Sequence, residues 1–121
     1  MVKIGRFEEI QSWQKARELV KVIYEITSQG DFIRDYGLKD QLRRASVSVM
    51  SNIAEGFARQ TNKEFNQYLH ISLGSVAEVQ SQLYIAHDLD YVSREDFARL
   101  YELSGEVARL ITGFIKYLQE K

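Results

Sequence analysis

The side chains best suited to chemistry in this 121-residue sequence are two histidines, two interior glutamates and a cluster of arginines and lysines. His70 and His87 stand seventeen positions apart on one predicted helix. That spacing separates them by roughly 25 Å, too far to share a metal within one chain. His87 with Asp88 near a helix end reads as a solvated pair or a favourable contact with the helix dipole. Glu55 and Glu78 could do acid–base work only if held across a cleft with displaced pKa values. Each has nearer partners: Arg44 or Arg59 for Glu55, Ser75 or Gln82 for Glu78. None of the serines sits in a nucleophile-elbow sequence, and there is no glycine-rich phosphate loop. Cysteine is absent, which excludes disulfides, thiolate zinc sites and cysteine nucleophiles. We therefore expect no catalytic residue, no cofactor, no metal site and no small-molecule substrate, and read the chain as non-enzymatic.

Binding is the remaining chemistry. Arg34, Lys39, Arg43 and Arg44 fall within eleven positions, and Arg59 and Lys63 follow. In a ring of identical subunits such a cluster repeats, so a modest local charge adds up toward a polyanion. Arg43, Arg44, Arg59 and Lys63 are the candidate phosphate contacts for structured RNA. The competing reading is a solvated face neutralised by Asp35, Asp40 and Glu55. Net charge is −1, which argues against strong generic nucleic-acid binding. The charge is uneven: residues 1–63 carry 11 Lys and Arg against 8 Asp and Glu, and residues 64–121 carry 5 against 9.

Residues 41–56, QLRRASVSVMSNIAEG, hold the densest polar pattern. Serine and asparagine gain little inside a helix because their side chains compete for backbone hydrogen bonds. So many together predict a helix with one dry side and one side that holds polar partners. Arg44, Ser48, Asn52 and Glu55 are the candidate network, fixing helix register or a contact between subunits. Such a network is costly unless every member is satisfied.

Four predicted helices must position these residues. The first runs over about 8–28, with apolar residues Ile10, Trp13, Ala16, Val20 and Ile23 spaced by three and four, and Gly30 as its C-terminal cap. The second covers about 38–59. Thr61 and Glu64 form a capping box that opens the third, which continues to about 88. Ser93, with Glu95 and Asp96 in the first turn, opens the fourth, which carries Phe97 through Leu118. No stretch alternates with period two, and the chain contains no proline. Short links make consecutive helices neighbours, so residues 1–121 read as one all-α domain, an antiparallel up-down-up-down four-helix bundle. The opening MVKIGRFEEIQSW lacks the apolar core of a signal peptide, and no apolar run reaches the length of a membrane span. A cytoplasmic protein without a membrane partner is the expectation.

The middle pair of helices is apolar over too wide an arc for one bundle face. On the second, Leu38, Leu42, Ala45, Val49, Ile53 and Phe57 form a stripe that Val47, Met50 and Ala54 extend to roughly 180–200°, with Arg43 inside the extension. On the third, Leu73, Ala77 and Tyr84 widen the stripe of Phe65, Leu69, Val76 and Leu83. Inner helices of a bundle bury more surface than outer ones, which explains part of this. The rest predicts a homo-oligomer that covers its apolar surface with further copies of itself.

QLRRASVSVMSNIAEGFAR followed by KEFNQYLHISLGSVAEVQSQL resembles the four-helix-bundle proteins encoded within intervening sequences of bacterial 23S rRNA genes. The pattern F-x-x-I-x-x-W-Q-K-A-R-E-L at residues 7–19 fits their opening. The resemblance implies a bundle assembled as a cyclic homopentamer, with structured RNA or another protein as partner and no established catalytic activity. It also implies kinship with the accessory variability protein of diversity-generating retroelements, a pentameric barrel that binds nucleic acid and a reverse transcriptase. Two features depart from the pattern. Met50 stands where the family often has proline, and this chain lacks the strong basic charge of the retroelement relatives.

Overall fold

The computed structural model describes residues 4–120 and contains four α-helices: α1 (Gln11–Thr27), α2 (Tyr36–Ala58), α3 (Asn62–Asp88) and α4 (Arg94–Gln119). Two short 3-10 turns, Phe7–Glu9 and Gly30–Arg34, precede α1 and α2. No strand occurs among the described residues. No helix there is long and apolar enough to cross a membrane. Residues 1–3 of the opening segment and residue 121 lie outside the described part.

The helix boundaries follow the local chemistry. Thr61 accepts from the Glu64 amide at 3.2 Å and Ser93 from the Asp96 amide at 3.0 Å, as both capping signals predict. α1 starts later than expected because Ile10 is extended (ψ 121°) and the residues before it form the 3-10 turn. α2 starts earlier. Asp35 caps it, taking the Leu38 amide on Oδ1 at 3.0 Å. The other carboxylate oxygen of Asp35 accepts from the Tyr91 hydroxyl at 3.0 Å. That bond, with partial burial added, holds the Tyr91 hydroxyl above the usual tyrosine pKa. One carboxylate thus joins the start of α2 to the α3–α4 link. Gly30 does adopt the left-handed φ of +55°, but it heads the 3-10 turn rather than closing α1, whose cap is Ser28.

The α3 terminus is a Schellman turn. The Tyr91 amide reaches the Ala86 carbonyl at 2.9 Å and the Asp90 amide the His87 carbonyl at 3.0 Å. Its left-handed position is held by Asp90 at φ 58°, where glycine carries no Cβ penalty. Asp90→Gly is therefore expected to raise unfolding free energy by about 0.5 kcal/mol, measured by urea denaturation.

α1 packs on α2 and α4, and α3 packs on the same two helices. Leu19 and Ile23, Leu42, Val49 and Ile53, Leu69, Val76, Val79 and Leu83, and Leu100, Val107 and Ile111 fill the space between them, with Phe32 closing one end. The α2–α3 seam is the tightest. Gly56 is buried there, and a Cβ on it would lie 2.7 Å from Tyr68 Cβ and 2.9 Å from Phe65 Cδ1. Higher along the seam, the buried Ser72 hydroxyl donates to the Val49 carbonyl at 2.7 Å. Small residues let these two backbones approach.

Candidate functional site

The polar block of α2 divides into three separate arrangements rather than one network. The Asn52 amide nitrogen donates to the Ser48 carbonyl at 2.8 Å and to its hydroxyl at 2.9 Å. The Ser48 hydroxyl in turn meets the Ser75 hydroxyl of α3 at 2.9 Å. Arg44 leaves this group and pairs with Asp40, Nε to Oδ2 at 3.1 Å. Glu55 pairs with Arg59 at 3.1 Å. Helical spacing puts all four candidates on one side of α2. Pairs at i,i+4 within the helix satisfy the two charged members locally. Of the four, only Ser48 crosses the seam, to Ser75, which lies twenty-seven residues away, and Asn52 is tied to Ser48 within the helix.

The four candidate phosphate contacts do not converge either. Arg59 donates to the Tyr68 hydroxyl oxygen at 2.6 Å, its guanidinium 5.1 Å from the Tyr68 ring, besides its pairing with Glu55. Lys63 is exposed on the first turn of α3. Both sit at the opposite end of α2 from Arg43 and Arg44, roughly 24 Å along the axis between positions 43 and 59. Arg43 is half-buried and turns to α1. Its Nε donates to Thr27 Oγ1 at 2.8 Å, and Nη2 donates to Ser28 Oγ at 2.9 Å and to the Tyr24 carbonyl at 3.5 Å. The guanidinium carbon lies 4.3 Å from the centre of the Tyr24 ring. An arginine inside an apolar arc is thus accommodated by an aromatic face and neutral oxygens.

The partners expected for Glu78 are a correction. Ser75 is engaged by Ser48, and the Gln82 amide donates to Gln41 Oε1 at 3.4 Å. Glu78 lines a groove between α2 and α3 with Gln41, Arg44, Ala45, Ser48 and Gln82, and among the described residues no cation lies within salt-bridge distance of it. His87 Nδ1 lies 3.9 Å from the Asp88 carboxylate, its ring 4.9 Å from that of Phe97. His70 is exposed. Among the described residues no three His, Cys, Asp or Glu side chains gather as a metal ion requires.

The wide apolar arcs resolve unequally. Val47, Met50, Ala54 and Phe57 of α2 are all half-buried, and Leu73 of α3 packs against the core. Tyr84 stays half exposed, but its ring meets Phe97 and Tyr101 at 5.1 and 5.7 Å. The uncovered residues of α3 and its C-cap lie elsewhere. Ile71, Ile85 and Leu89 are 52%, 45% and 51% exposed. They share the flank toward α2 that also carries Glu78, since Ile71, Glu78 and Ile85 are spaced by seven and Leu89 follows by four. Sequence reasoning missed this stripe because it lies outside the arc centred on Val76. The signal was present as two isoleucines two heptads apart.

This four-helix fold and its α2–α3 seam stand beside one decisive match. The family described as 23S rRNA-intervening sequence protein matches residues 8–113. The chain belongs to that family. A solved structure from Bacteroides thetaiotaomicron VPI-5482, a protein of unknown function from the S23 ribosomal protein family, superposes with a TM-score of 0.78 at 23% identity, over 87% of this chain and 98% of that one. At that identity the likeness concerns the fold. No curated protein matches the chain in sequence. In this member of the 23S rRNA-intervening sequence family the block around Gly56 is where α2 and α3 touch.

Proposed function

We propose that this member of the family is a non-enzymatic, self-assembling helical scaffold, an antiparallel up-down-up-down bundle whose copies cover one another's apolar flanks in a closed ring. The carrying observation is the stripe of Ile71, Ile85 and Leu89, about half exposed on the α2-side flank of α3. Large side chains gathered on one flank favour burial in a contact. The antiparallel course is supported by the α2–α3 pairs Arg59–Tyr68, Val49–Ser72, Ser48–Ser75 and Gln41–Gln82, whose positions fall on one helix as they rise on the other. Five is the subunit number that the family resemblance implies. The same observations favour protein over nucleic acid as partner. Of the four candidate RNA contacts, Arg44 and Arg59 already hold carboxylates.

Ile71→Glu with Ile85→Glu tests the reading. Both sites are exposed, so folding is retained. The expected result is a shift from an assembly to particles of the chain mass, 14.1 kDa, in light scattering at micromolar concentration. A wild-type chain that is already 14.1 kDa under those conditions rejects self-assembly.

A further inference from the structure

We infer that the cavity where α1 begins against α4 is a binding site for a small monocarboxylate with an apolar body. The site lies within one chain, so the inference does not depend on self-assembly. The ligand is bound and not turned over, which keeps the non-enzymatic reading.

The turn before α1 builds one wall. The Glu9 amide donates to the Arg6 carbonyl at 3.1 Å and the Ile10 amide to the Phe7 carbonyl at 3.0 Å. Gln14 Nε2 donates to the Glu8 carbonyl at 2.8 Å. These bonds fold the turn back across the helix start, where Ile4 and Phe7 pack against the core. Between this turn and the later part of α4 lies a cavity of about 380 Å³. That is the small end of the range for ligand sites, about 300–1,000 Å³. Ile4, Ile10, Leu110 and Phe114 make its lining largely apolar. Gly113 belongs to the same wall, and nothing lies within 4 Å of a Cβ added there.

The polar groups favour a single negative charge. No side chain caps α1, and its first turn holds no acid. The first bond of its ladder runs from the Gln14 amide to the Ile10 carbonyl at 3.1 Å. The amides of Gln11, Ser12 and Trp13 come before it and have no carbonyl within the helix to meet. Such a helix start attracts an anion. Ser12 gives an independent sign of a ligand. It lines the cavity and is only 2% exposed, and its hydroxyl has no hydrogen-bond partner among the described residues. Buried hydroxyls are nearly always bonded. The surrounding chain does not supply that bond, so the cavity is the side from which a partner can come.

Two charged residues stand at the exposed rim. Arg109 Nη2 meets Glu102 at 3.1 Å, and a guanidinium has further donors to offer. Glu9 also lines the cavity, with Oε1 accepting the Gly5 amide at 3.2 Å. Its charge opposes a multiply charged anion such as phosphate and leaves one carboxylate as the fitting group. That carboxylate meets the helix start, Ser12 and Arg109, and the carbon body lies against Ile10, Leu110 and Phe114.

Octanoate is the probe, titrated into the full chain by calorimetry and followed by amide chemical shifts. The expected result is saturable binding of one octanoate per chain, with shifts at Gln11, Ser12 and Gly113. Octanol shares the carbon body without the charge and is expected to bind about tenfold more weakly. Octylamine is expected not to bind. Ser12→Ala removes a hydroxyl that has no partner, so folding is retained and octanoate binding weakens about tenfold. Gly113→Leu fills the cavity, improves on glycine in helix propensity, and abolishes binding. Octanol or octylamine binding as tightly as octanoate overturns the inference. Wild-type affinity in either variant does the same. Shifts confined to Ile71 and Ile85 assign octanoate to the exposed stripe and overturn it too, as does an absence of binding at millimolar octanoate.

Discussion

Gly56→Val is expected to destabilise the fold by about 3 kcal/mol, the upper end for forcing extra carbons into a packed site. The cause is specific. A Cβ at this position meets Tyr68 Cβ at 2.7 Å and the Phe65 ring at 2.9 Å, and the Phe65 carbonyl lies 3.3 Å away. Tyr68 Cβ and the Phe65 carbonyl belong to the α3 backbone or its first side-chain atom, so no flexible tip can swing aside. Relief requires α2 and α3 to separate, which stretches the Ser72–Val49 and Ser48–Ser75 bonds further along the seam. Gly113→Ala is the control. Nothing lies within 4 Å of its added Cβ, so alanine there gains about 0.5–1 kcal/mol through helix propensity. Urea midpoints with an unchanged slope separate the two outcomes. Equal and small effects at both glycines would mean that the seam is looser than described.

Asp35→Ala is expected to cost about 2 kcal/mol, because one carboxylate serves two structural ends. Loss of a helix N-cap costs about 1 kcal/mol, and loss of a hydrogen bond to a charged group costs a similar amount or more. Asp35→Asn keeps a capping oxygen but weakens the bond from Tyr91. Tyr91→Phe removes only that bond. A double-mutant cycle between Asp35→Ala and Tyr91→Phe, read by thermal or urea unfolding, should give a coupling of about 1 kcal/mol. Additive effects would show that the Tyr91 hydroxyl contributes nothing at the α2 terminus.

Most of the helices were legible because their signals are local. Thr61 with Glu64 and Ser93 with Asp96 are read within one turn, and both caps form as spaced. The periodic stripes of Leu42, Val49 and Ile53 and of Leu69, Val76 and Leu83 are the buried faces. Asp35 was missed as a cap because Tyr36 and Gly37 look like a loop, while its second partner, Tyr91, is fifty-six residues away. The polar residues of α2 were correctly placed on one side, but their partners were not legible. Arg44, Asn52 and Glu55 find partners within four residues, whereas Ser48 also reaches Ser75 in the next helix. Spacing assigns a residue to a face. It does not say which neighbour supplies the hydrogen bond. Arg43 shows the same limit from the other side: its place in an apolar arc makes sense only once Tyr24 of α1 is known to lie under it.

The seam between α2 and α3 has a dynamic consequence. Its hydroxyl-to-carbonyl bond and its missing Cβ tie two helices along much of their length, while α1 and α4 are joined by the surface pair Lys15–Glu106 at 3.6 Å. Breathing motions are then drawn to the α1–α4 contact, and the α2–α3 hairpin is the last piece to yield its amide protons to solvent.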